Sequence, residues 1–527
     1  MTPSTTSRLA AGTLMVIVLA GAILRLDHAA SLMRFTGDEA RDLRQAQGVT
    51  TRHEWPLLGP RIYRGQGCLG PFYAYLMALP LHMAHGNPAA SVIVVAFFDT
   101  LAIILMYLLG RQIADRWTGM LAAMLYAMSF TMIFYARWGW HPSLLPFFTL
   151  LAIYSMVRIV HGSPTFLPLL ALTLAILLQL HMSTVLLFIP AALAVWTGRR
   201  SFRWHTLVFT FCAGALPLLP LIIHELSSGF ANTRAMIGMG TVMTASSHAS
   251  FGRFLADIAQ VVADQACWRY GHRAILLDQA DWIYVLNILL VIAGLVAVVR
   301  QWRRDRQVTV LLLLWILLPP LALLRFGGAR SHYYMLLWFP AALIAVAMAL
   351  REALRHRQAR SIVVALLFLL AVTNMASYAA YRVDLQSPRY DTFLAGPLGL
   401  KKAAVDAVIQ HAGRRHYDLV IASWHWANHW PYLYLLSNHQ ERPVNVRVVV
   451  VSPDGGPAEV TEENPGAYFS PTVDDHTTQT LVILEPSDLL RLPRNTLVAD
   501  LGQLQVHRFP GGLDNLPAPL MPQRTEP

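Results

Sequence analysis

The residues best suited to chemistry lie near the start of the chain, in Gly37-Asp38-Glu39-Ala40-Arg41-Asp42. This places three carboxylates within a few positions of one another in a chain of which only 13% is charged. An acidic pair of this kind can take a proton from a hydroxyl or orient one for attack. Asp38 and Glu39 are the candidates for that work, and Asp42 reads as a solvated or ion-paired neighbour. The residues able to hold an anion are arginines. Arg64 lies in Gly59-Pro60-Arg61-Ile62-Tyr63-Arg64-Gly65-Gln66-Gly67, Arg137 opens Arg137-Trp138-Gly139-Trp140-His141-Pro142, and Arg325 and Arg330 precede His332. A guanidinium fork suits phosphate and diphosphate oxygens. His141, His181, Glu225, His332, Tyr333 and Tyr73 form a polar and aromatic set suited to lining a cavity.

Each of these has a plainer reading as well. His181 fits a hydrogen-bonded core histidine, and Arg137 and Arg325 fit interfacial arginines with their stems in the membrane. The tyrosines fit an aromatic belt. What sets the group apart is placement. Charged and imidazole groups at membrane depth are expensive and tend to line cavities, and here they collect on one side.

The elements that must position them are membrane helices. Of the 527 residues 55% are hydrophobic, and the mean hydropathy is +0.45. Such a chain cannot cover a soluble surface with charge. Apolar runs of about 18 residues separated by short arginine-bearing loops read as transmembrane helices. About eleven are expected by that measure, over 9–26, 88–110, 117–136, 142–159, 164–181, 182–198, 205–225, 281–299, 308–324, 332–350 and 361–381. The long loop 27–87 follows the first span, and its second half, from Gly70 to Leu81, reads as an interfacial helix. Arginine is densest in the loops that fall inside when the N-terminus is cytoplasmic, so the acidic motif, the Arg137 turn, His181, Glu225 and the His332 turn all face out. The N-terminal run lacks a small-residue cleavage site and reads as a retained helix.

Beyond about residue 382 polar residues, Pro and Gly become common. Leu398–Ala412 reads as an amphipathic helix, Trp424–Leu436 as another, and Asp418–Ser423, Asn445–Ser452 and Thr480–Glu485 as buried strands. The expected architecture is a polytopic α-helical membrane domain over 1–381 and a small α/β domain over 382–527 on the outer, periplasmic face of a bacterial inner membrane. The net charge of +11 follows membrane topology, so no nucleic-acid partner is expected. Lys401 and Lys402 are the only lysines. Cys68, Cys212 and Cys267 have no metal-binding spacing. Cys212 reads as a small core residue, and Cys68 and Cys267 fall on the same outer side, which leaves a bridge between them open. Two acids could hold a divalent ion, but no ligand set with metal spacing accompanies them, and no cofactor is expected. No glycine-rich phosphate loop is present.

Acids beside arginines at an outer bilayer surface, with apolar grooves between helices, suit transfer of a sugar from a lipid phosphate to a hydroxyl. Several stretches also resemble the GT-C superfamily of polyprenyl-phosphate-dependent glycosyltransferases, in the branch that holds the protein O-mannosyltransferases and the lipid A aminoarabinose transferase. They are Gly37-Asp38-Glu39-Ala40, Gly70-Pro71-Phe72-Tyr73-Ala74-Tyr75-Leu76, Tyr135-Ala136-Arg137 with His141-Pro142-Ser143-Leu144-Leu145-Pro146-Phe147-Phe148, and His332-Tyr333-Tyr334-Met335-Leu336 with Pro340. The resemblance covers roughly residues 8–381. It implies an outward-facing cavity, an inverting transfer from a polyprenyl-phosphate sugar, and a first-loop aspartate, Asp38 here, as base or acceptor-orienting group. The turn before the fourth helix often carries an acid in that family, whereas His141 stands here, so the acceptor stays open among lipid, glycan and protein. An O-antigen ligase-like enzyme and a lipid or polysaccharide transporter are the competing readings. A transporter should show inverted repeats and mid-membrane charges, and no repeat is seen.

Overall fold

The computed structural model describes residues 3–62, 67–245, 281–323, 332–386, 397–412, 417–423, 430–437, 446–451, 457–459, 479–484, 492–501 and 504–510. Among the described residues, each of the expected spans is largely helical. The helices are α1 (Pro3–Leu26), α2 (Gly37–Thr51), α3 (Phe72–Met83), α4 (Ala89–Ile113), α5 (Arg116–Met128), α6 (Phe130–Ala136), α7 (Leu145–Val160), α8 (Leu167–Leu180), α9 (Phe188–Gly198), α10 (Trp204–Ser227), α11 (Ala231–Ala245), α12 (Asp281–Arg300), α13 (Arg306–Leu323), α14 (Phe339–Leu354) and α15 (Arg360–Gln386). Among the described residues, seven helices are long and apolar enough to cross a membrane, or eight if the bent pair α5–α6 forms one span. Pro164–Leu180 and Arg306–Ala322 are shorter apolar helices. The chain is a polytopic membrane protein.

The expected span 117–136 is broken at Ser129, where α5 and α6 meet at 61°. A break leaves backbone donors that lipid cannot satisfy. Asn374 of α15 takes one of them, accepting from Phe130 N at 2.7 Å. The first loop also differs from expectation, because its acidic motif opens a regular helix, α2, as well as being followed by the interfacial α3. Cys212 is exposed on α10 among Phe209, Phe211 and Leu216, which are exposed too. It therefore lies on an apolar outer face rather than in the core, because α10 turns most of its surface away from the bundle. Cys267 lies outside the described residues.

Loops read as inner pair with one another. Arg351 Nε is 2.8 Å from Asp115 Oδ2, His161 Nε2 is 2.7 Å from Asp305 Oδ2, and Gln301 donates to the Ile113 carbonyl at 2.9 Å. Loops read as outer meet at the other end, as described below.

The C-terminal portion holds α16 (Leu398–Ala412), α17 (Trp430–Ser437) and one mixed sheet. Its strands are β1 (Tyr417–Ser423), β2 (Val446–Val451), β3 (Pro457–Glu459), β4 (Gln479–Leu484), β5 (Leu497–Asp500) and β6 (Gln505–Pro510), in the order β3-β2-β1-β4-β6-β5. β1 runs parallel to both β2 and β4, and the outer pairings are antiparallel. Central parallel strands are covered on both faces, and all six residues of β4 are buried. The three strands read from sequence fall on β1, β2 and β4, within a residue at each end.

Candidate functional site

The site begins with the way α2 starts. Thr36 is the N-cap, with extended backbone, and Glu39 folds back onto it. One Glu39 carboxylate oxygen accepts from the Thr36 amide at 2.8 Å and from the Thr36 hydroxyl. This reciprocal cap satisfies donors that a helix start leaves open. It also turns the adjacent Asp38 outward. Asp38 is half exposed and paired with Arg41, one turn on. A carboxylate in the first turn is favoured by the helix dipole. Glu39 is fully buried, and its second oxygen, Oε1, has no hydrogen-bond partner among the described residues. Burial pushes its pKa up to about 7; the neighbouring Asp38 charge adds to this, while the Thr36 hydrogen bond and Arg34 pull against it.

One turn further along, Asp42 faces inward. Its Oδ2 is 2.7 Å from His141 Nδ1, and both side chains are buried. Burial lifts the Asp42 carboxyl above its ordinary range, against the opposing pull of His141. This contact ties the first loop to the turn before α7. Tyr73 of α3 joins from the other side. Its hydroxyl donates to the Gly139 carbonyl at 2.6 Å, and its ring meets His141 edge-on, with centroids 6.0 Å apart. The turn is tight enough to need glycine at 139. A Cβ there would run into the Ser91 side chain and stand 3.0 Å from Val92 N.

From His141 an aromatic track leads across the outer ends of the helices. Trp138 stacks on Trp140 with centroids 4.5 Å apart, Trp140 meets Tyr333 at 4.8 Å, and Tyr333 meets His181 at 5.5 Å. His181 also caps the turn after α8, accepting from Ser183 N at 3.2 Å. Arg34, ahead of the acidic motif, lays its guanidinium 3.9 Å over the Trp138 ring. Its Nε and the indole nitrogens of Trp138 and Trp140 are buried, with no hydrogen-bond partner among the described residues. Donors without acceptors favour an anion or a hydroxylated ligand.

The other candidates divide by geometry. Arg137 is buried and closes the C-terminal end of α1, donating through Nη1 to the carbonyls of Leu24 at 3.2 Å and Asp27 at 2.5 Å. Its Nε and Nη2 remain without partners among the described residues. Glu225 sits at the other edge and caps α11, accepting from Thr233 N at 3.3 Å. Arg64, Arg325, Arg330 and the side chain of His332 lie outside the described residues. The structure therefore brings together Asp38, Glu39, His141, Tyr73, His181 and Tyr333, and it gives Arg137 and Glu225 backbone-capping contacts. No three His, Cys, Asp or Glu side chains converge to hold a metal among the described residues.

Sequence reasoning passed over Arg34 and Asp99. Arg34 stands alone between Met33 and Phe35, and a lone arginine between apolar residues was the available signal. Asp99 is the one acid inside the apolar run of α4. Its Oδ2 lies 2.5 Å from Arg25 Nε of α1, and it accepts from the Tyr126 hydroxyl. An acid in mid-span with an arginine at a neighbouring helix end is the pattern that would have paired them.

The raised Glu39 pKa makes a prediction with a definite sign. Between its ordinary value of 4.5 and about 7 the folded state holds the Glu39 proton that the unfolded state releases, so this group weakens the fold as pH rises through that window. Glu39→Gln keeps an acceptor for the cap and removes the titration. Its melting temperature in detergent should gain on the wild type from pH 5 up to about pH 7 and level off above that. A difference that stays flat across that range would remove the titration from Glu39.

No protein-family model matches the chain, and none of the curated proteins matches it. Solved structures do. ArnT from Cupriavidus metallidurans, bound to undecaprenyl phosphate, matches over 99% of this chain and 100% of its own, with a TM-score of 0.56 and 12% identity. The apo oligosaccharyltransferase of Archaeoglobus fulgidus matches over 83% of this chain with a TM-score of 0.50 and 13% identity. The same enzyme in complex with zinc and sulfate matches over 82%, with a TM-score of 0.50 and 14% identity. This chain covers 64% of the length of the apo enzyme and 62% of the zinc complex. At such identities the likeness is one of fold.

Proposed function

From the premise that the chain has the GT-C fold, we propose that it is a membrane glycosyltransferase. It takes a sugar from a polyprenyl-phosphate donor and passes it, with inversion, to a lipid, glycan or protein acceptor on the periplasmic face of a bacterial inner membrane. The observation that carries this reading is the pose of Asp38. It is a half-exposed carboxylate at a helix start, next to the buried Glu39 and one turn before the buried Asp42, which meets the aromatic turn at His141.

The chemistry is a single displacement. The acceptor hydroxyl gives its proton to Asp38 as its oxygen attacks the anomeric carbon. The bond from that carbon to the phosphate oxygen breaks, and polyprenyl phosphate leaves with the bonding electrons. The leaving phosphate is assigned to Arg34 and Arg137, which carry buried N–H groups without partners among the described residues, and to the loop arginines Arg64, Arg325 and Arg330. Trp138, Trp140, Tyr333, Tyr73, His141 and His181 line the approach.

The test is transfer by purified protein in detergent, with a panel of radiolabelled polyprenyl-phosphate sugars and host membrane extract as acceptor. Label is expected to move from one donor. Folded protein that moves label from none of the monophosphate donors would favour the ligase or transporter readings instead.

A further inference from the structure

Lys401 and Lys402, the only two lysines of an arginine-rich chain, both lie near the start of α16 and both reach across to the membrane domain. Lys402 Nζ donates to Asn87 Oδ1 at 2.8 Å. Lys401 is the more telling of the two. It is 1% exposed, and its Nζ donates to the Phe35 carbonyl at 2.5 Å. A buried ammonium is costly unless it is hydrogen-bonded. An ammonium is a compact point charge on a flexible stem, so it can reach a carbonyl in a closed space where a flat guanidinium fork has less room. Phe35 directly precedes Thr36, the N-cap on which Glu39 folds and from which Asp38 projects.

The surrounding contacts act on the same short stretch. Arg34 forms bridges with Trp138 on one side and with Pro397 on the other, so the first loop is the middle thread of three. Leu398 N donates to the Met33 carbonyl at 2.9 Å. Phe35 packs edge-on against Tyr434 of α17, with centroids 5.6 Å apart, and the Tyr434 hydroxyl donates to the Gly86 carbonyl at 2.9 Å. The C-terminal domain thus grips the residues from which α2 starts.

We propose that Lys401 is a positioning residue for the first-loop acids: by holding the Phe35 carbonyl it sets where Asp38 stands against the turn that carries His141. The proposal rests on the transferase reading for its effect on rate, while the grip itself is testable without it.

The test uses the full-length protein with Cys68, Cys212 and Cys267 replaced by serine. A Cβ at Gly399 would stand 3.5 Å from Ser31 Cβ, within the bridging range of about 3.5–4.5 Å. The pair Ser31→Cys and Gly399→Cys therefore makes a staple across the same seam. Lys401→Met is expected to lower kcat by about 10- to 100-fold, with the donor KM changed by no more than about twofold. Lys402→Met should leave both near the parent values, and Lys401→Gln, which keeps an N–H donor, should fall between. The oxidised staple in the Lys401→Met background should restore most of kcat, and reduction with dithiothreitol should remove the gain. Rescue of kcat when Lys401→Met melts at the parental temperature is what positioning predicts, since a staple that only stabilised the fold would act through the melting temperature. A Lys401→Met protein with parental kcat, or a fully formed staple that restores nothing, overturns the proposal. If the parent moves no sugar, the transferase reading fails by itself. The grip is then read from the yield of the 31–399 disulfide under mild oxidation. It should be high in the parent and lower with Lys401→Met or Lys401→Gln, and a yield that is low in the parent or unchanged by both substitutions overturns the grip.

Discussion

Asp38→Asn should abolish sugar transfer while leaving a folded protein, with a rate loss of about 10²- to 10⁴-fold, the range that a positioned proton acceptor contributes. The substitution keeps size and shape and removes the basic oxygen. Asp38 is half exposed and ion-paired with Arg41, a surface pair of small worth to stability. The cap that starts α2 uses Glu39 and Thr36, so the helix start should survive the change. Initial rates with the active donor, set beside the melting temperature of the same preparation, check the prediction. Full transfer by well-folded Asp38→Asn protein would remove Asp38 from the role assigned to it, and an inactive variant that melts far below the wild type would say nothing for catalysis.

The largest stability effect is expected at the buried pair between α1 and α4. Asp99→Leu leaves Arg25 buried, at 0% exposure, without its counter-charge, and breaking such a pair costs about 3–5 kcal/mol. Arg25 also donates to the carbonyls of Gly21 at 3.1 Å and Ala127 at 3.0 Å, so the network joins three helices. Replacing both partners at once, with Arg25→Met and Asp99→Leu, should recover most of the loss, because two desolvation penalties leave together with the attraction. Unfolding in mixed micelles titrated with SDS, followed by tryptophan fluorescence, compares the single variants with the double. A double variant as unstable as the sum of the singles would show that the pair is not coupled.

The spans were legible because a bilayer imposes length and apolarity on any helix that crosses it. The buried central strands were legible for a similar reason: with both faces covered, β1 and β4 become short apolar runs. What escaped the reading is set by contacts distant in sequence. Nothing local marks Ser129 as a break, since the acceptor that stabilises it is Asn374, on another helix. The edge strands β3 and β5, and β6 beside the latter, carry less apolar bias and depend on their neighbours for definition. Within the site, the acidic motif was visible as a cluster of charges. Its division of labour was not, because Glu39 turns inward to cap a helix, Asp42 finds a histidine 99 positions away, and Asp38 is left outward as a result. Arg137 was noticed for its charge, while its partners are the end carbonyls of α1, to which no side-chain pattern points.

The three-thread ribbon at Arg34 has a consequence for the order of events during synthesis. Two of its threads, at Arg34 and Trp138, are made early, and the third, at Pro397, is made only after the last membrane helix. Contacts this distant in sequence close late, since the entropy of the intervening chain must be overcome first. The helices can therefore be inserted and packed while the stretch ahead of α2 still lacks one of its supports. Synthesis of the segment that holds Pro397, rather than completion of the helical bundle, is the event that secures that stretch. A nascent or truncated protein ending before residue 397 would lodge in the bilayer with its acidic motif in place but not held, so a segment made after the helices governs the first loop to be made.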